Sequence, residues 1–230
     1  MRRTGPGGTP FANVDRMRAR RGFSLIELMV VVALVGITAA LAVPTYSELF
    51  LDRRVQDDAS QIASILREAR ARAMARGSAV LVAFTGGGSA GGTFATYESV
   101  TSMPGVVSAA NRVPLGTCRS PSRWLPLAAT NTNIWILGET AFTGTRDVNA
   151  GLRTVYRTQA GTDLTSVFLC FTSTGRVFQS TTANFDAAMP LTTSDQFVLS
   201  RTTVSLARRV LVNSAGTFRV RSTPLNTGVQ

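Results

Sequence analysis

Hydrophobic and polar positions divide the chain into stretches of different texture. Residues 1–22 are rich in Gly, Pro and Arg with few apolar positions, a composition that predicts no regular structure. From Leu25 to Val43 the chain reads LIELMVVVALVGITAALAV, with Glu27 as the one ionisable residue. Nineteen residues of helix at about 1.5 Å each span about 28 Å, close to a bilayer core of about 30 Å. Between Thr45 and Arg76 there is no glycine or proline, and Ile62, Ile65, Leu66, Ala69 and Ala73 form one helical stripe, with Arg67, Arg70, Arg72 and Arg76 mostly on the other side. Gly77 is a natural helix stop.

After Gly77 the period changes. Short β-branched and aromatic runs, separated by turn residues, predict strands at 78–84, 93–100, 133–137, 152–158, 167–171, 176–179, 196–203, 209–212 and 217–221. Gly86 to Gly92 reads as a flexible loop, and residues 101–132, rich in Pro, Ser, Thr and Asn, as a long irregular insertion. Thr172-Ser173-Thr174-Gly175 and Asn213-Ser214-Ala215-Gly216 are matching hairpin turns. The predicted fold class is therefore α+β: a long N-terminal helix, membrane-spanning in its first half, packed on an antiparallel β-sheet domain.

Composition narrows the chemistry. The chain has no histidine, so a Ser-His-Asp triad and a His-based metal site are both excluded. Two cysteines, Cys118 and Cys170, cannot build a four-thiolate site, although an oxidising compartment would let them pair. The glycine run lacks the Lys-Ser/Thr ending of a phosphate loop, and the chain holds no lysine. We expect no enzyme activity, no cofactor and no metal. The net charge of +11 comes entirely from arginine; residues 1–22 hold six arginines and Asp15, which leaves 18 arginines against 12 acids for the rest. Such an excess points to an acidic partner or an anionic surface.

The N-terminal segment admits three readings. A secretory signal peptide would use Ala40-Leu41-Ala42 as its cleavage site, and a plain signal anchor would stay uncut; neither has a use for Glu27, since a carboxylate at mid-membrane costs about 2.5 to 3.5 kcal/mol. The third rests on Gly22-Phe23-Ser24-Leu25-Ile26-Glu27-Leu28, preceded by Arg20 and Arg21. This stretch resembles the class III signal of type IV pilins and type II secretion pseudopilins. The resemblance implies a cytoplasmic leader at 1–22 and a prepilin peptidase that cuts between Gly22 and Phe23 and methylates Phe23. It also implies a transmembrane and assembly helix at 23–44, an extracytoplasmic continuation at 45–77 and a β-rich head at 78–230. Glu27 then meets the Phe23 amine of a neighbouring subunit, an ion pair that low dielectric strengthens. Pro44 falls where pilin helices bend, or simply marks the membrane exit.

LREARARAMARGSAVLV (66–82), CFTSTGRVF (170–178) and RRVLVNSAGTFRVR (208–221) resemble parts of the GspH/FimT class of minor pilins and pseudopilins. That resemblance implies a subunit at or near the tip of a type IV pilus or secretion pseudopilus, held in the inner membrane by one helix with its head periplasmic. Its implied partners are prepilin peptidase, other pilins and the membrane. Some members of the class take up DNA through a C-terminal Gly-Arg-x-Arg pattern; here Gly216-Thr217-Phe218-Arg219-Val220-Arg221 lacks the first arginine at its place. The alternative of a pilus-borne DNA-binding subunit names Arg208, Arg209, Arg219 and Arg221, with Arg219 and Arg221 on one strand face. An ordinary half-exposed strand with arginine outward explains the same pattern.

Overall fold

The computed structural model describes residues 23–87, 90–101, 113–119, 124–142, 152–183, 185, 189–201 and 206–224, with the side chains of 41–49, 51, 87, 90, 113, 189, 201 and 224 left undescribed. The chain forms two units, residues 1–45 and 46–230. Helix α1 runs over Leu25–Arg76, with Pro44 inside it.

In the first unit every described residue from Phe23 to Ala40 is exposed, among them Phe23 at 85% and Leu25 at 77%. Among the described residues no helix is long and apolar enough to cross a membrane. The apolar run of the sequence ends at Val43, and residues 41–49, Pro44 among them, lie outside the described side chains.

The second unit is helix plus antiparallel sheet. Its first sheet contains β1 (Val80–Gly87), β2 (Ala90–Thr101), β3 (Val113–Pro114), β4 (Ile134–Ala141), β7 (Ser166–Phe171), β8 (Val177–Ser180) and β9 (Met189–Pro190). The order is β3-β2-β1-β7-β8-β9, with β4 also paired to β2. The second sheet, in the order β12-β11-β10-β5-β6, is made of β5 (Leu152–Arg157), β6 (Asp163–Leu164), β10 (Asp195–Arg201), β11 (Leu206–Val212) and β12 (Phe218–Pro224). Both hairpin turns form as the sequence predicts: Gly175 and Gly216 sit at φ 76° and 69°. Their amides reach back to the carbonyls of Thr172 and Asn213 at 2.8 Å each, a turn closed by a left-handed glycine.

One core joins helix and sheets. Ile62, Leu66, Ala69 and Ala73 are buried as the stripe predicts, Ile65 packs at its margin, and Val55, Ala59 and Ala63 extend the buried face toward the N-terminus. Against them lie Phe84, Phe94, Tyr156 and Phe197; Phe84 meets Phe94 at 4.8 Å and Phe197 edge-on at 5.3 Å. Such aromatic pairs contribute about 0.5–1.5 kcal/mol each beyond area burial.

Two loop expectations change. The described part of the glycine run, 86–87 and 90–92, is strand rather than loop, because β1 continues to Gly87 and β2 begins at Ala90. A Cβ at Gly91 would fall on the carbonyl of Phe142, and Gly92 has φ +100°, so these positions need glycine for close approach rather than for flexibility. The insertion also carries structure. Val113–Pro114 pairs with β2, and Trp124 is fully buried beside Leu81, Tyr97, Cys118, Cys170 and Phe185, on the sheet face away from the main core. Apolar side chains at alternating strand positions on that face need cover, and the insertion supplies it.

Candidate functional site

The start of α1 is organised locally. Ser24 Oγ accepts a hydrogen bond from the amide of Glu27 at 3.3 Å, which makes Ser24-Leu25-Ile26-Glu27 one half of a capping box. An acid in the first helical turn is also favoured by the free amides there. The sequence reading missed this local use of Glu27, although the S-x-x-E spacing was legible. Thr38, the other polar side chain in the described run, donates to the carbonyls of Leu34 and Val35, both at 3.0 Å, so the helix satisfies it internally. Gly22 lies outside the described residues, and Phe23 is the first residue within them.

The four candidate arginines do not form one group. Antiparallel partners share a sheet face, and Arg209 stands opposite Arg221, while Arg219 pairs with Leu211. Arg208 pairs with Ser222 on the opposite, core-facing side. There its guanidinium is 2.6 Å from Asp52 of α1, with the Arg208 side chain only 11% exposed. Arg209, Arg219 and Arg221 therefore belong together, and Arg208 ties sheet to helix.

Two arginines not singled out in the sequence join that face. Arg153 and Arg157 on β5 pair with Ser200 and Gln196 on β10, which places them on the same side as Arg209. Asp163 is the one acid among the strand residues of the face, and it binds Arg157 through Nε at 2.6 Å and a terminal nitrogen at 3.0 Å. This fork holds the Asp163 carboxyl below its ordinary range and raises the Arg157 guanidinium. Val155, Val198 and Ala207 form a small buried apolar cluster between the arginines.

Cys118 and Cys170 form a disulfide with Cα atoms 6.0 Å apart. Cys170 lies on β7, and Cys118 accepts through its carbonyl from Trp124 Nε1 at 3.1 Å, so the bond fastens the insertion to the first sheet. Between α1 and β4 a groove of about 120 Å³ is lined by Ile65, Ala69, Arg72, Thr96, Leu137 and Thr140, room for one side chain.

Comparison with known proteins bears on the N-terminal segment. Residues 17–43 match the family described as the prokaryotic N-terminal methylation motif. A fimbrial protein of Pseudomonas aeruginosa is 39% identical over 69 residues, 30% of this chain and 44% of the relative. A fimbrial protein of Moraxella nonliquefaciens is 46% identical over 41 residues, 18% of this chain and 27% of the relative. The type IV major fimbrial protein FimA of Dichelobacter nodosus is likewise 46% identical over 41 residues, 18% of this chain and 26% of the relative. The chain thus spans less than half the length of the curated relatives it matches. No solved structure matches it. With the methylation motif, these relatives and a helix followed by antiparallel sheet, the chain is type IV pilin-like.

Proposed function

We propose that this protein is a structural subunit of a pilus, a minor pilin or pseudopilin of the GspH/FimT kind that acts at or near the tip. The observation that carries the reading is an apolar helix exposed at every described position from Phe23 to Ala40, with Glu27 in its first turn, inside the matched methylation motif. An apolar surface of this extent needs a bilayer or other helices around it. In this reading prepilin peptidase cuts between Gly22 and Phe23 and methylates Phe23, and residues 1–22 are lost in the cytoplasm. Residues 23–44 hold the chain in the inner membrane and later enter the filament, with Pro44 at the exit. The helix continues to residue 77 outside, and residues 78–230 form a periplasmic head without enzymatic activity. The Cys118–Cys170 disulfide supports an oxidising compartment for that head. Intact mass and N-terminal sequence of membrane-extracted protein, with and without prepilin peptidase, test it. A peptidase-dependent methylated Phe23 supports the reading, and a start at Val43 or an uncut chain overturns it.

A second reading is a pilus-borne DNA-binding subunit. The observation that favours it is the concentration of Arg153, Arg157, Arg209, Arg219 and Arg221 on one sheet face with Asp163 as counter-charge. Phosphate contacts of this kind weaken steeply with salt. Gel shifts at low salt test it: Arg219→Ala with Arg221→Ala should abolish binding, and an unchanged shift rejects it.

A further inference from the structure

Among its described residues the head domain has two unpaired sheet edges that carry opposite charge. Among the described residues, β4 pairs only with β2 and β12 only with β11, so each leaves one row of backbone donors and acceptors unpaired. Such edges invite another strand unless something blocks them. Glu139 is the only charged residue of β4 and is exposed, with no ion pair among the described residues. Arg219 and Arg221 are exposed on β12. Arg221 also faces Arg209 with no acid beside the pair among the described residues, and like charges directly opposite are unfavourable.

We infer that β4 of one copy docks antiparallel against β12 of a second copy, Glu139 meeting Arg221. The charges that blunt these edges also choose the partner. Two β4 edges bring Glu139 against Glu139, and two β12 edges bring arginine against arginine, so pairing of like edges is disfavoured and only the unlike pair attracts. Such a contact is heterologous: it leaves a free β12 on one copy and a free β4 on the other, and extends rather than closes. In the register that sets Glu139 opposite Arg221, Ala141 meets Arg219 on the same face. On the other face Thr140 and Gly138, at the rim of the groove beside α1, meet Val220 and Ser222. A Cβ at Gly138 finds open space. The contact rests on the pilus-subunit reading and adds a head-to-head surface to the helix-mediated assembly.

The test uses the full chain in membranes, with a photo-crosslinking amino acid in place of the exposed Ala141. A dimer whose crosslinked peptide maps to residues 218–224 is expected; no dimer, or a crosslink mapping elsewhere, overturns the contact. Arg221→Glu should remove the dimer, and Glu139→Arg together with Arg221→Glu should bring it back; a dimer indifferent to both changes also overturns it. If DNA rather than a second copy occupies these arginines, added DNA is retained while the 141 crosslink is missing, and the contact fails. The N-terminal mass of the same sample separates the two ideas. A methylated Phe23 start without the crosslink sinks the contact alone, whereas a crosslink on an uncut chain sinks the pilin reading alone.

Discussion

Arg76 Nε lies 2.7 Å from one carboxylate oxygen of Glu98, a side chain with no exposure at all. Arg72 Nε donates to the other oxygen at 3.0 Å, and both guanidinium groups lie over the Trp135 ring at 5.7 and 5.8 Å. The last turns of α1 are thus clamped to β2 and β4 by a buried acid, two arginines and an indole. Glu98→Ala would leave two cations without their acid. Breaking a buried pair costs about 3–5 kcal/mol, and the partial exposure of the arginines moves this case toward the lower figure. Thermal unfolding monitored by circular dichroism should show a clear loss of Tm; a change within the error of the scan would show that the clamp contributes nothing.

The disulfide closes a loop of 52 residues, for which chain entropy gives a stabilisation of about 4 kcal/mol. Cys118→Ala with Cys170→Ala should therefore lower the denaturant midpoint and expose the Trp124 side of the sheet. Trp124 fluorescence during unfolding reads both effects, and a midpoint equal to that of the unreduced parent would contradict the estimate.

Gly216 has φ +69°, and a Cβ there would stand 2.6 Å from Arg70 Nε and 2.8 Å from the carbonyl of Gly175. Both hairpin turns crowd against one arginine of the helix. Gly216→Ala should cost at least about 1 kcal/mol from backbone strain alone, with the crowding added. Coupling with Arg70→Ala, measured as a double-mutant cycle, should recover part of the loss; strict additivity would argue against the crowding.

Tyr156 donates to Asp195 at 2.8 Å inside the core, and burial, reinforced by the Asp195 charge, pushes its hydroxyl far above the ordinary value of about 10. A raised folded value stabilises the chain fully below the unfolded value and less as pH climbs. Above about pH 10 the unfolded chain releases a proton that the folded chain keeps, so stability should fall as pH rises. Tyr156→Phe should flatten that alkaline slope in denaturant midpoints, and an equally steep slope in the variant would refute the assignment.

Glu27→Ala should leave processing at Gly22 intact while incorporation into filaments falls. Shear fractions probed for the subunit, alongside the N-terminal mass, separate the two. Normal incorporation would mean that Glu27 serves only to cap its own helix through Ser24.

The sequence by itself determined what short-range periodicity encodes. Ile62, Leu66, Ala69 and Ala73 recur at helical spacing and are buried together; the strand runs and the hairpins ending at Gly175 and Gly216 also follow from local residue choice. Ser24 and Glu27, three residues apart, belong to the same class of signal. Tertiary structure alone decided what depends on register between distant strands. Arg208 and Arg209 are neighbours in the chain, yet one faces Asp52 and the core while the other faces Arg221, because side chains on a strand alternate and only the pairing of β11 says which side is which. Arg153 reached the basic face through β5 and β10, some 50 residues away in sequence, and no local pattern marks it. The glycines at 91 and 92 looked like a loop because composition records flexibility but not the close approach of Phe142. A local period says which side chains share a face of one element; only the packed fold says what lies across from that face.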